Sequence, residues 1–104
     1  MSLMIKFIKS QVKSNNYELT LHADDERIDE DLNYVELEEA LVNGEILEDY
    51  PTDPRGASCL IVGYTKSKKP IHIVCGKTNL GGLLLITVYI PKMPKWLDPK
   101  TRNR

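Results

Sequence analysis

The period of the apolar residues changes at Gly44, and that change dictates the order in which this chain can build its layers. Before Gly44, apolar positions recur every three to four residues; after it, they gather into short runs cut by turn formers. Ile5, Ile8 and Val12 predict an amphipathic helix over about 4–14, ended by Ser14-Asn15-Asn16. Thr20 is placed to cap a second helix, with Asp24, Asp25 and Glu26 at or just past its first turn, where the helix dipole favours them. Asn33 with Glu36 forms a capping-box pattern for a third helix over about 34–43. Val35, Leu37, Ala40, Leu41 and Val42 supply its buried side, and Gly44 stops it.

Four apolar runs follow, at about 45–50, 58–64, 70–76 and 83–90, separated by Pro51 to Gly56, Lys66 to Lys69 and Lys77 to Gly82. Connections this short join antiparallel neighbours. The expected architecture is therefore α+β, with N-terminal helices packed on one face of a four-stranded, mainly antiparallel sheet. A chain of 104 residues holds one such domain with its own core. The domain is expected over 4–97, after a Met1-Ser2-Leu3 start that reads as a cloning scar and before a basic C-terminal tail at 98–104.

No run reaches the roughly 18 apolar residues of a membrane span, and no charged-then-apolar leader opens the chain. A cytoplasmic protein with no membrane partner is expected. Two histidines and two cysteines without paired spacing do not make a four-ligand zinc set, so no metal and no cofactor are expected. Cys59 and Cys75 sit in apolar runs and are expected as buried, reduced thiols.

Charge is laid down unevenly. Residues 1–52 carry 4 Lys/Arg against 13 Asp/Glu, whereas residues 53–104 carry 10 against 2. Acidic helices and a basic sheet would present one face to a polyanion such as RNA; two ordinary solvated surfaces are the other reading.

The last two strands gather the chemistry. If the turn at 77–82 closes a simple hairpin, with 76 opposite 83 and 72 opposite 87, then Ile71, Ile73, Cys75, Leu84, Ile86, Val88 and Ile90 face the helices. His72, Val74, Leu83, Leu85, Thr87 and Tyr89 then share the other face. His72 there is either a general acid or base or a packed histidine satisfied by a backbone or hydroxyl partner. His22, at the start of the second helix, either leans over the sheet edge toward His72 or bonds a nearby loop. Arg55, in a loop stiffened by Pro51, Pro54 and Gly56, is placed either to grip a phosphate or to pair with Asp53. Lys68 and Lys69 stand at a hairpin tip, and Gly81-Gly82 reads as turn chemistry.

The succession Tyr17-x-Leu19-Thr20-x-His22-Ala23, Gly44-Glu45-Ile46, Tyr50-Pro51, Cys59-Leu60-x-x-Gly63, Pro70-x-His72 and Thr87-Val88-Tyr89-x-Pro91 with Trp96 resembles a bacterial domain-of-unknown-function family, number 4258. That family is similar to the RelE/ParE-like toxins, in which helices precede a curved antiparallel sheet and members cut RNA or act on DNA gyrase. The chain departs from the family where a basic run usually follows the His-Ala pair: Asp24 to Asp31 is acidic apart from Arg27 and Ile28. The resemblance implies a toxin-like domain, partnered by a small antitoxin, that acts as a metal-independent endoribonuclease or as a non-catalytic protein-binding domain. In the first case His22 and His72 share the acid and base roles. Arg55, Lys69 and Lys68 meet the phosphate, and Tyr89 with Thr87 orients the substrate.

Overall fold

A computed structural model describes residues 5–54 and 56–103, and in it the expected helices form where their end signals lie. Helix α1 (Ile5–Lys13) buries Ile8 and Val12. Helix α2 (Leu21–Asp29) opens on Thr20, whose hydroxyl accepts a hydrogen bond from the Ala23 amide at 3.0 Å. Helix α3 (Tyr34–Val42) opens on a reciprocal capping box. Asn33 Oδ1 accepts from the Glu36 amide at 2.8 Å, and Glu36 Oε1 accepts from the Asn33 amide at 3.1 Å. These bonds satisfy donors that a helix start otherwise leaves without partners.

The long strands also follow expectation. β2 (Glu45–Tyr50), β3 (Ser58–Tyr64), β4 (Pro70–Lys77) and β5 (Leu83–Tyr89) form an antiparallel meander. The sheet has five strands, not four, because β1 (Tyr17–Leu19) adds in parallel beside β5, giving the order β1-β5-β4-β3-β2. Three residues are too few to show a strand period, and their partner lies far along the chain. Helix α3 lies directly on the backbone of β3. A Cβ added at Gly63 would come within 1.9 Å of the Ala40 carbonyl oxygen, so only glycine permits this approach.

The register of the last hairpin differs from the simple one. Lys77 pairs with Leu83 and Cys75 with Leu85, but after a bulge Val74 pairs with Thr87 and His72 with Tyr89, not Thr87. Ile86 is the extra residue, and its insertion reverses alternation upstream of it. Leu83 and Leu85 therefore join Ile71, Ile73, Cys75 and Val88 in the core against the helices, while Leu84 and Ile86 lie outside that cluster. Downstream of the bulge the expected facing holds, and His72, Thr87 and Tyr89 share the face away from the helices.

That second face is also buried in part. Leu60, Val62 and His72 are almost without solvent exposure. Over it folds a ribbon of β6 (Trp96–Asp98) and β7 (Thr101–Arg102), so most of the segment expected as a tail is structured. Trp96 is 2% exposed.

Candidate functional site

His72 is fully enclosed on this face. Its ring meets Trp96 edge-on at 4.4 Å between centroids and Tyr89 at 5.1 Å. Nε2 lies 2.6 Å from the Pro99 carbonyl oxygen, and Nδ1 lies 3.1 Å from the Tyr89 hydroxyl. A carbonyl can only accept, so Nε2 carries the proton; Nδ1 then accepts from Tyr89. Burial is the leading influence on the imidazole and holds its pKa below the ordinary histidine value. Both ring nitrogens are thus hydrogen-bonded to groups of the protein itself, and the ring is buried.

The ribbon is fastened by charge as well as packing. Arg102 grips Glu48 through two bonds of 3.0 and 2.7 Å and lies 4.6 Å from the Trp96 ring centroid. Tyr50 donates its hydroxyl to the same carboxylate, and burial together with Glu48 pushes that phenol up to about 12. Lys100 reaches Glu45 at 2.6 Å. The Trp96 indole nitrogen is buried without a hydrogen-bond partner of normal geometry among the described residues. Burial also raises the Tyr89 phenol, offset in part by that neighbouring indole. Tyr89 is therefore neutral, with its proton directed at His72.

His22 stands elsewhere. It lies on α2, its side chain 68% exposed, with Nε2 3.2 Å from Glu26 Oε1. Glu26 Oε1 in turn accepts from the Val88 amide at 3.0 Å, and the Thr20 hydroxyl donates to the Ile86 carbonyl at 3.0 Å. These two bonds seat α2, at its N-cap and past its middle, on the part of β5 that β1 leaves unpaired. The structure does not bring the two histidines together: one sits on the helix that caps the sheet edge, the other under the ribbon. Glu26 is nevertheless close enough to Tyr89 for its charge to help raise the phenol. Lys95 Nζ lies 5.7 Å from the Tyr89 ring centroid.

The remaining residues scatter around this edge. Thr87 is half-buried opposite Val74. Lys69 is tied to Glu36 at 3.2 Å, and Lys68 occupies the turn in a left-handed conformation, φ 68°. Arg55 lies outside the described residues. Lys69–Glu36, Lys92–Glu30, Lys100–Glu45 and Arg102–Glu48 each join a cation of the second half to an acid of the first. Much of the charge asymmetry is therefore spent inside the molecule. Sequence reasoning missed Glu26, Glu48, Trp96 and Arg102 as neighbours of the site. The first had a visible signal in its spacing four residues after His22, which puts both on one helix face.

Cys59 and Cys75 pair directly across β3 and β4, both free and fully buried. Burial pushes the Cys59 thiol up to about 12 and Cys75 well above its ordinary value. Among the described residues, no group of three or more His, Cys, Asp or Glu side chains is arranged to hold a metal, and no helix is long and apolar enough to cross a membrane.

The geometry thus defines an α+β domain whose one solvent-facing imidazole is held by a carboxylate at a helix-capped sheet edge. Residues 19–90 match the family described as Domain of unknown function (DUF4258), and the chain belongs to that family. No curated protein and no solved structure matches it.

Proposed function

We propose that this chain is a toxin-like domain of RelE/ParE-like type that cleaves RNA without a metal, with His22 as its acid–base residue. The observation that carries the reading is the chain of contacts from His22 to Glu26 to the Val88 amide. A carboxylate accepting the Nε2 proton leaves the Nδ1 lone pair outward, free to take a proton from a ribose 2′-hydroxyl. The same nitrogen can return that proton in a later step. Lys95, beside the Tyr89 ring, supplies a cation for the phosphate, with Lys68 and Lys69 as further contacts. Tyr89 offers its ring to a splayed base, since its proton is engaged with His72. Thr87 lines the same face.

The test is labelled single-stranded RNA incubated with purified protein in EDTA. Wild type should cleave, His22→Ala should slow cleavage by about 10² to 10⁴, and Glu26→Gln should slow it less. An inactive wild type would overturn the reading. A second reading, a non-catalytic domain that binds an antitoxin or a gyrase-type partner, draws on the four ion pairs that engage four of the ten second-half cations, Lys69 among them. Growth arrest without RNA cleavage, retained in His22→Ala, would favour it.

A further inference from the structure

The edges of a sheet expose unpaired backbone groups, and this molecule protects them unequally. The β2 edge carries a bulge between Ile46 and Glu48, with Glu45 and Glu48 engaged by the ribbon cations Lys100 and Arg102. The far half of β5 is capped by Thr20 and Glu26. Among the described residues, β1 has no such cover. Leu83 donates to the Asn16 carbonyl and Thr20 donates to the Leu85 carbonyl, so Asn16, Glu18 and Thr20 turn their backbone groups toward β5. By alternation, Tyr17 and Leu19 turn theirs outward, where no partner bonds them among the described residues.

The surroundings of that edge combine apolar, neutral polar and acidic groups. A groove of about 600 Å³ runs along it, lined by Tyr17, Leu19, Leu21, Asp24 and Tyr34 among others. A second, of about 400 Å³, continues past Glu18 to Leu80. Among the described residues, neither is lined by a lysine or arginine. Leu21 and Leu80 are 78% and 98% exposed. Asp24 is paired with Arg27 and Glu38 with Tyr17, which leaves Glu18, exposed at the middle of β1, as the acid turned to solvent.

We infer that the outer edge of β1 docks an extended segment of a partner protein in which basic and apolar residues alternate, as an added strand. Main-chain bonds to Tyr17 and Leu19 supply the attachment, the apolar side chains meet Leu21 and Tyr34, and the basic ones meet Glu18. The acid at the centre of the strand argues against a second copy of this chain, because antiparallel pairing of two β1 strands would set one Glu18 against the other.

The probe is a labelled hexapeptide, Lys-Val-Lys-Val-Lys-Val, titrated into the intact protein and followed by backbone NMR and fluorescence anisotropy. A dissociation constant of about 1 mM or below is expected for so short a strand, with shifts confined to residues 15–21, 34 and 80. Methylating the alternate amides that face β1 should weaken binding by at least about ten-fold, while methylating the other set leaves it unchanged. Glu18→Lys, a surface change that leaves the fold intact, should weaken binding by about five-fold, and a Glu-Val repeat should bind worse than the Lys-Val repeat. Absence of binding, indifference to both methylation patterns, or shifts elsewhere would overturn the inference. So would a homodimer in sedimentation whose contacts map to β1. The experiment uses no RNA, so its outcome is separate from that of the nuclease assay.

Discussion

Replacing His72 with phenylalanine separates a structural imidazole from a catalytic one. The ring volume is kept, so packing against Trp96 and Tyr89 survives in large part, but both hydrogen bonds are lost. The Pro99 carbonyl and Tyr89 hydroxyl then lack their partner, at about 1–3 kcal/mol for each group that water cannot reach. Tyr89 is only half-buried, which lowers its share, and a total loss of about 2–4 kcal/mol is expected. For a domain of this size that corresponds to a fall in Tm of roughly 10–25 °C. The pH dependence carries the sharper signature. Because the folded-state pKa of His72 is depressed, the unfolded chain takes up a proton first as pH falls. Wild-type stability is therefore full above the unfolded value, near 6.5, and declines below it by at most about 1.4 kcal/mol per pH unit until the folded value is passed. The variant lacks that component. Urea unfolding between pH 8 and 5, followed through the fluorescence of the lone Trp96, measures both quantities. Equal stability of the two proteins, or a His72 ring that titrates near 6.5 by NMR, would refute the reasoning.

Gly63→Ala should prevent folding or cost well over 3 kcal/mol, read by circular dichroism, since the new methyl meets the Ala40 carbonyl at 1.9 Å and backbone cannot yield cheaply. Asn33→Ala should cost about 1 kcal/mol in urea unfolding by removing one arm of the capping box. A thiol reagent should label Cys59 and Cys75 only as fast as the protein opens, because both are buried with raised pKa values; rapid labelling of the native protein would contradict this.

What the sequence made legible was local. Caps at Thr20 and Asn33, the stop at Gly44 and the four apolar runs each express a rule acting within a few residues, and the helices and long strands follow them. What it hid was pairing between distant segments. β1 holds three residues and gains its identity only from β5, sixty-six positions later by the Tyr17–Leu83 partnership. The bulge at Ile86 cannot be seen in an unbroken apolar run, because Leu83, Leu84, Leu85 and Ile86 read alike on either face. His72 was placed on the correct face, but its environment depends on Trp96 and Pro99, which a basic, proline-containing end does not announce as a cover.

The charge pattern shows the same dependence on distant partners. A chain with acidic helices and cationic strands looks from its sequence like a polyanion-binding sheet, yet four ion pairs tie the halves to each other. Three of the four lie where a late segment returns to an early one: Lys92 on Glu30, Lys100 on Glu45 and Arg102 on Glu48. Individually, exposed pairs contribute little. Arg102–Glu48 differs, because it is bidentate, partly buried and stacked on Trp96, so it fixes where the ribbon sits over His72. The asymmetry is thus a docking code for the C-terminal segment first. Lys66, Lys68, Lys77 and Lys95 form no such pair among the described residues, and of these Lys95 lies beside the Tyr89 ring.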